Sequence, residues 1–266
     1  MLTGCGAERS EKDIKLASDD KKIEQEADVP TNVIVASSGT YYPFGFMEEG
    51  KPKGFEIDIW DEIGKRTGLT VERKFAAYSG LFGMLDKGEI DTIANQVSKT
   101  PEREEKYIFS APYAYSLPKI VVKKGNPENI HTLDDLIGKK VIVATGAREG
   151  DVINELYPNG EITVVPYEGE ELLDVENGKM PAAITTESAT AVAIKDQNRD
   201  VEIVGPPIYI EENAYVFAKT ERGEYLQKKV DAAVKEMRED GTLKRLSEKW
   251  FGIDITTPPD VEPVAK

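Results

Sequence analysis

The chain has 266 residues, enough for one large or two ordinary domains, and its 49 acidic and 34 basic residues give a net charge of −15. Such an acidic chain is not expected to bind nucleic acid, which needs a basic face, or to dock directly on anionic lipid. No apolar run approaches the roughly 18 to 20 residues that span a bilayer. No cluster of cysteine and histidine suggests a zinc site, and we expect neither a metal nor a cofactor.

The first distinctive motif is the tetrapeptide Leu-Thr-Gly-Cys at residues 2–5, which matches the processing site of bacterial lipoproteins. There the cysteine is alkylated by diacylglycerol and the chain is cut just before it. Cys5 is the only cysteine, so the alternative is an unmodified free thiol. No apolar signal segment precedes Leu2, so the sequence is expected to begin inside the processing site. Residues 6–28 are charged and nearly free of aromatics, which predicts a flexible tether to a membrane.

Beyond the tether, short apolar runs alternate with helical patterns. The first series predicts strands at 32–36, 71–75 and 92–94 and helices at 57–63, 80–87 and 101–107. The second series predicts strands at 119–122, 140–144, 163–165 and 182–184 and helices at 133–137, 149–156, 170–176 and 189–196. A strand at 215–218 and amphipathic helices at 226–238 and 243–250 follow. The tail around Pro258 and Pro259 is expected to be frayed.

Repeated strand–helix–strand units predict an α/β fold with parallel-rich sheets flanked by helices, and two series of them predict two lobes. Crossings between the lobes are expected near 116–120 and 212–215. The predicted division is a lipobox and tether (1–28), a first lobe (29–116 and 213–255), a second lobe (117–212) and a tail (256–266). Such sheets bind ligands beyond the carboxyl ends of their strands, so a ligand is expected in the cleft between the lobes, with hinge closure.

Several motifs in order carry a resemblance to one family. They are Gly39–Phe44, Gly54–Ile59 (Gly-Phe-Glu-Ile-Asp-Ile), Asp91–Tyr113, Thr132–Val141 and Met237–Gly252. Over roughly residues 30–255, the chain resembles the polar amino-acid-binding proteins of bacterial ABC importers, the family 3 extracellular solute-binding proteins. Asn95-Gln96-Val97 looks most like the cystine-binding members.

The resemblance implies a periplasmic-binding-protein fold of type II. Together with the motif at residues 2–5, it implies a lipid-anchored, extracytoplasmic receptor at a Gram-positive surface or in the periplasm, and we expect a monomer. Such a receptor captures a small zwitterion, a polar amino acid such as cystine, by hinge closure. It then delivers the ligand to a membrane permease powered by a separate ATPase.

The carboxylate of a free amino acid needs a planar bidentate donor, and Arg103 is the candidate. The resemblance implies the same role, whereas the alternative is a surface ion pair with Glu102 or Glu104. The resemblance implies that the Ser98 hydroxyl and N–H donate hydrogen bonds to the same carboxylate. It also implies that the Gln96 carbonyl accepts a hydrogen bond from the ligand's ammonium group.

Two aromatic residues, Tyr41 and Tyr78, match the family's clamp on the ligand side chain, since aromatic faces cover aliphatic groups at small entropy cost. The alternative is that both belong to the core. Family members often carry an acid just before the first aromatic loop. Ser38 stands there instead, so a strongly basic ligand is less favoured.

The second lobe matches the family less well. Thr145-Gly146-Ala147-Arg148 replaces the usual glycine–threonine loop, although N–H groups at a helix start still suit an anion. Arg148 is either a ligand for a second carboxylate, as cystine presents, or an exposed arginine. The family's ammonium-binding aspartate aligns with Thr186, which carries no charge. Glu187 replaces it if the loop shifts by one residue; otherwise the ligand is not an ordinary α-amino acid.

Two other classes of function are weighed. Dehydratases of cyclohexadienyl acids resemble this family, and Arg103 with Glu187 as general acid would suit that chemistry. A lipid-tethered location argues against such an enzyme, so no enzymatic activity is expected. A ligand-sensing module without transport is the other alternative.

Overall fold

The structure is a computed structural model that describes Met1 and residues 30–145, 147–167 and 171–265. The lipoprotein-like motif with Cys5 and the predicted tether lie outside these described residues. Within them, no helix combines the length and apolar character that crossing a membrane requires.

The predicted strands and helices form, several with longer bounds, except that the segment at 133–137 forms only a 3-10 turn, Asp134–Leu136. The sequence did not predict the strands at 107–109 and 201–204, one in each of the two main sheets. The helices are α1 (Phe55–Thr67), α2 (Tyr78–Asp86), α3 (Pro101–Lys106), α4 (Arg148–Leu156), α5 (Glu171–Glu176), α6 (Glu187–Gln197), α7 (Glu221–Glu239) and α8 (Thr242–Phe251). The strands are β1 (Asn32–Ser37), β2 (Thr40–Tyr41), β3 (Gly45–Glu48), β4 (Lys51–Lys53), β5 (Thr70–Phe75), β6 (Thr92–Ile93), β7 (Tyr107–Phe109), β8 (Ala114–Ser116), β9 (Pro118–Lys123), β10 (Lys140–Ala144), β11 (Thr163–Tyr167), β12 (Ala182–Thr186), β13 (Val201–Val204), β14 (Glu211–Asn213) and β15 (Val216–Ala218).

The first lobe is built on a five-stranded sheet in the order β5-β1-β6-β15-β7. Helices α1, α7 and α8 pack together and share one apolar cluster with it. In α1, the buried residues Phe55, Ile59, Trp60 and Ile63 recur at helical spacing and form one face. The helix ends at Gly68, whose left-handed φ of 73° suits glycine.

The second lobe is built on a five-stranded sheet in the order β11-β10-β12-β9-β13. In each sheet a single strand runs against the other four: β15 in the first and β9 in the second. Each reversed strand is the one the chain enters after crossing from the other lobe, without the helical crossover that makes neighbours parallel. The prediction of parallel-rich sheets is confirmed, with this one reversal in each.

Two short strands carry the chain between the sheets. The chain leaves the first sheet through β8 and returns through β14, and these strands pair antiparallel with Glu211 opposite Ser116. Asn213 is buried, and its Nδ2 donates to Ser116 Oγ over 2.8 Å. The predicted lobe boundaries fall at these strands, and the division into lobes at those residues stays a prediction.

A second region of contact joins the lobes at the end of α6. The Tyr42 hydroxyl donates to Asp196 Oδ2 over 2.6 Å. Lys195 Nζ donates to the carbonyls of Lys249 and Trp250 in the first lobe, over 2.9 and 3.1 Å. The mutual position of the lobes therefore depends on both the crossing strands and α6.

The sequence did not predict the small antiparallel sheet β2-β3-β4. Its strands are too short for a periodic pattern, and the signature glycine explains its position. Gly54 has a φ of 133°, and a side chain there would collide with the Phe44 carbonyl. The close approach orients the start of α1, including Glu56.

The expectation of a frayed tail is wrong. After α8 the chain returns to the second lobe, where the N–H groups of Val264 and Ala265 donate to the carbonyls of Pro207 and Ile208 over 3.0 and 2.7 Å. Pro258 and Pro259 do not prevent these hydrogen bonds, because the donating N–H groups belong to residues after them. The accepting carbonyls of Pro207 and Ile208 lie outside the named strands. Ala265 is partly buried and packs against the second lobe's core.

Candidate functional site

A buried glutamate fixes the loop after β6. Gln96 has a left-handed backbone (φ 50°), and its N–H donates to Glu56 Oε1 over 3.1 Å. Glu56 is 1% exposed and also accepts from the Tyr113 hydroxyl, to which Gln96 Nε2 donates over 3.1 Å. Burial raises the pKa of Glu56 to about 7, against a smaller lowering by these hydrogen bonds. The backbone at Gln96, whose carbonyl is the predicted ammonium acceptor, is thus held in one conformation.

Ser38 lies beside the same loop, at the end of β1. Its N–H donates to Asn95 Oδ1 over 2.8 Å, and the Ala94 N–H donates to the Ala36 carbonyl over 2.8 Å. The structure therefore brings Ser38 next to the segment that carries Gln96.

Arg103 points back to this loop from α3. Thr100 caps the helix by accepting from the Arg103 N–H over 3.4 Å, and Pro101 occupies the first turn. Arg103 Nη1 donates to the Ser98 carbonyl over 2.7 Å, and the guanidinium lies 5.2 Å from the centre of the Phe82 ring. Among the described residues, Arg103 forms no ion pair with Glu102 or Glu104, and Glu104 instead pairs with Lys99 at 3.1 Å.

Both predicted clamp tyrosines are partly exposed rather than core residues. Tyr41 is 42% exposed and Tyr78 is 39% exposed. The Tyr41 ring centre lies 4.8 Å from that of Phe44. Desolvation, followed by the charges of Glu56 and Glu211, raises the pKa of Tyr41 to about 12. The hydroxyl therefore stays protonated near neutral pH, in a space shared with those two carboxylates.

The second lobe contributes the loop that precedes α4. Thr145 is exposed and Ala147 is half-buried at the cap position of the helix, while residue 146 lies outside the described residues. Arg148 is the first helical residue; its guanidinium lies 4.4 Å from the Tyr209 ring centre, and its Nη1 lies 3.6 Å from Glu211 Oε1. The Arg148 side chain is 56% exposed, so it is available to another anion.

Glu211, at the start of β14, connects the two lobes at this point. One carboxylate oxygen accepts from Ser98 Oγ over 3.2 Å, and the other faces Arg148. Sequence reasoning missed this residue. The signal that could have found it is the position of an acidic residue next to the predicted crossing at 212–215.

The two residues predicted for the ligand ammonium are occupied elsewhere. Thr186 ends β12 and caps α6, where its hydroxyl accepts from the Ala189 N–H over 3.3 Å. Glu187 Oε2 pairs with Lys119 Nζ at 3.1 Å. Among the described residues, no hydrogen bond or ion pair links Thr186 or Glu187 to Ser98, Arg103 or Arg148.

The arrangement of guanidinium groups suits a ligand that carries a carboxylate. The described part of the chain holds no group of three or more His, Cys, Asp or Glu placed to bind a metal ion. A series of contacts links Arg103 to Arg148: Arg103 donates to the Ser98 carbonyl, Ser98 Oγ donates to Glu211, and Glu211 faces Arg148. Tyr41 lies near Glu211 and Tyr78. Guanidinium groups of this kind bind carboxylates in bidentate fashion.

Comparisons with known proteins place the chain in a family. The sequence profile of the bacterial extracellular solute-binding proteins, family 3, matches residues 33–253. PatH of Vibrio harveyi, provisionally named an amino-acid ABC transporter-binding protein, is 40% identical over 85% of this chain and 91% of its own length. The L-cystine-binding protein TcyJ of Escherichia coli K12 is 34% identical over 84% of both chains.

A solved structure agrees with these sequence matches. The unliganded, open L-cystine solute receptor of Neisseria gonorrhoeae is 27% identical with a TM-score of 0.75, covering 85% of this chain and 95% of its own. The profile match spans most of the chain, and two relatives exceed 30% identity over more than four-fifths of it. The chain therefore belongs to the bacterial extracellular solute-binding proteins, family 3.

Proposed function

We propose that the chain captures an amino acid between its two lobes, with cystine the first ligand to test, and delivers it to an ABC permease. Membership of the family makes the chain a solute-binding protein that acts outside the cytoplasm. The observation that carries the proposal is the Arg103 guanidinium, oriented by the Ser98 carbonyl at 2.7 Å and free of a carboxylate partner among the described residues. A planar donor held in this way is prepared for the carboxylate of a ligand.

In this proposal, Arg103 and Ser98 bind the α-carboxylate, and the Gln96 carbonyl accepts from the α-ammonium group. Tyr41 and Tyr78 cover the middle of the ligand. Ser38, in place of an acid, leaves that end of the site suited to a ligand without a basic side chain.

Cystine is favoured over a simple amino acid by Arg148. Cystine carries a second carboxylate, and the start of α4, where Thr145, Ala147 and Arg148 lie, supplies a guanidinium and helix N–H groups in the opposite lobe. The names of TcyJ and of the gonococcal receptor point to the same ligand. A ligand held by both lobes stabilises the closed form, because only a difference in affinity between two states shifts their populations.

The proposal extends to the membrane. A diacylglycerol on Cys5 and a tether over residues 6–28 would hold a monomeric receptor near its permease. The cyclohexadienyl dehydratase alternative is less well supported, since Glu187, its general acid, is paired with Lys119.

Thermal unfolding of protein refolded from denaturant, which removes carried-over ligand, tests the proposal. Cystine, the twenty common amino acids and a panel of organic acids are added one at a time. A ligand bound only by the native state adds about 2.7 kcal/mol of stability at a hundredfold excess over its dissociation constant. We expect cystine to raise the midpoint; a rise with organic acids but with no amino acid would contradict the proposal.

A further inference from the structure

We propose that Glu211 is the anion that binds the ligand's α-ammonium group, the role that the threonine at 186 leaves unfilled. This inference rests on the proposed function, because it requires a ligand with an ammonium group. It assigns a specificity-determining residue to a crossing strand rather than to the loop after β12.

The position of Glu211 beside Ser98 is fixed by the backbone. Ser98 and Asn213 form an isolated antiparallel bridge, and the Lys99 N–H donates to the Glu212 carbonyl over 2.8 Å. Side chains alternate along a strand, so Glu211 and Asn213 point to one side of β14 and Glu212 to the other. The Glu211 carboxylate accepts from Ser98 Oγ over 3.2 Å as a result.

This position is where an α-ammonium group would lie. When the ligand carboxylate binds Ser98 and Arg103, the neighbouring carbon bears the ammonium. That group is then within reach of an anion that already touches Ser98. The Gln96 carbonyl supplies one acceptor, and Glu211 supplies the charge that a carbonyl lacks.

Other carboxylates near the site are less available. Glu187 faces Lys119 at 3.1 Å, and Glu56 lies buried beneath the loop, bonded to Gln96 and Tyr113. Glu149 is buried on the side of α4. The Glu211 carboxylate has two partners, the neutral hydroxyl of Ser98 and, at the longer distance of 3.6 Å, the Arg148 guanidinium. The Glu211 side chain is 25% exposed.

Ligand binding would also release the Arg148 contact. In the proposed complex the distal carboxylate of the ligand takes Arg148, and Glu211 exchanges that guanidinium for the ammonium. Arg148, Glu211 and the α-ammonium group next to Arg103 each then keep an opposite charge as the lobes close, so none of these three is left buried and unpaired.

The test compares two ligands that differ only in the ammonium groups. Calorimetry on the refolded full chain measures binding of cystine and of dithiodipropionic acid, which is cystine without its two amino groups. The variants are Glu211→Gln, Glu211→Asp, the control Glu212→Gln on the opposite side of the strand, and the competing candidate Glu187→Gln. Thermal midpoints without ligand verify that each variant is folded.

We expect Glu211→Gln to weaken cystine binding about tenfold to a hundredfold, the usual range for a hydrogen bond between charged groups. This variant should bind dithiodipropionic acid with the same affinity as wild type or more tightly, since a nearby negative charge is removed. Glu211→Asp, which keeps the charge, should recover part of the cystine affinity. Glu212→Gln should leave the affinity for both ligands unchanged.

Three results would overturn the inference. Equal losses for both ligands in Glu211→Gln would mean that the residue is structural. Tighter cystine binding in that variant would mean that Glu211 competes with the ligand carboxylate. A loss confined to cystine in Glu187→Gln would assign the role to Glu187. By contrast, a wild-type chain that binds neither cystine nor any common amino acid would overturn the proposed function itself.

Discussion

The carboxyl group of Glu56 accepts a hydrogen bond from the backbone N–H of Gln96 over 3.1 Å, so a buried titratable group supports the loop at the candidate site. Its second oxygen, Oε2, has no hydrogen-bond partner among the described residues. Burial outweighs the two hydrogen bonds and raises the pKa of Glu56 from 4.5 to about 7. A proton on this carboxyl group is therefore favoured in the folded state.

The first prediction concerns pH and stability. Because the folded-state pKa is the higher one, the stability from Glu56 is fully present below about pH 4.5 and is lost as the pH rises to about 7. Glu56→Gln keeps the acceptor but cannot titrate. The free energy of unfolding of wild type relative to this variant should fall by on the order of 3 kcal/mol across that window. Denaturant titrations at several pH values measure it, and parallel pH profiles would contradict the expectation.

The second prediction concerns the Tyr41 ring. If the ring covers the ligand, Tyr41→Ala should weaken cystine binding about tenfold or more. Tyr41→Phe keeps the ring and should stay within about threefold. Calorimetry with both variants separates the ring from the hydroxyl, and an equal loss in both would assign the role to the hydroxyl instead.

The third prediction concerns the second carboxylate. Arg148→Gln should weaken cystine binding about tenfold, since a charge-assisted hydrogen bond is lost. S-methylcysteine has a single carboxylate and should bind the variant at least as tightly as it binds wild type, since Arg148 no longer competes with the ammonium group for Glu211. Competition titrations give both affinities. A comparable loss for S-methylcysteine would show that Arg148 does not distinguish the distal end of the ligand.

The fourth prediction concerns the tail. Deleting residues 262–266 removes the hydrogen bonds from Val264 and Ala265 to the second lobe, which should lower the free energy of unfolding by about 1 to 2 kcal/mol. Asp260→Ala, an exposed change in the same segment, should have no measurable effect. Urea unfolding compares the two. A truncated chain as stable as wild type would mean that these contacts do not contribute in solution.

Much of the fold follows from the sequence because the strands and helices are long enough to show a period. The α1 face formed by Phe55, Ile59 and Ile63 and the apolar run of β1 are examples. The short strands β2, β8 and β14 were missed, since two or three residues carry no period. β2 pairs with the adjacent β3, but β8 and β14 pair with each other across a large separation in the chain, which local patterns do not encode.

The candidate site was only partly predictable for the same reason. Arg103 and Ser98 lie five residues apart, and their contact follows from a capped helix after a loop. Glu211 meets Ser98 across more than a hundred residues, through a bridge between β14 and the loop. The ion pair of Glu187 with Lys119 likewise depends on neighbouring strands rather than on spacing.

Arg103 is the residue through which we propose that this chain binds the carboxylate of an amino acid. The most direct measurement is a calorimetric titration of the refolded chain with cystine, repeated for Arg103→Ala and for Arg245→Ala, an exposed arginine on α8. We expect saturable binding to wild type and to Arg245→Ala, and at least a hundredfold loss of affinity in Arg103→Ala, about 2.7 kcal/mol or more. Undiminished cystine binding by a folded Arg103→Ala variant would contradict it.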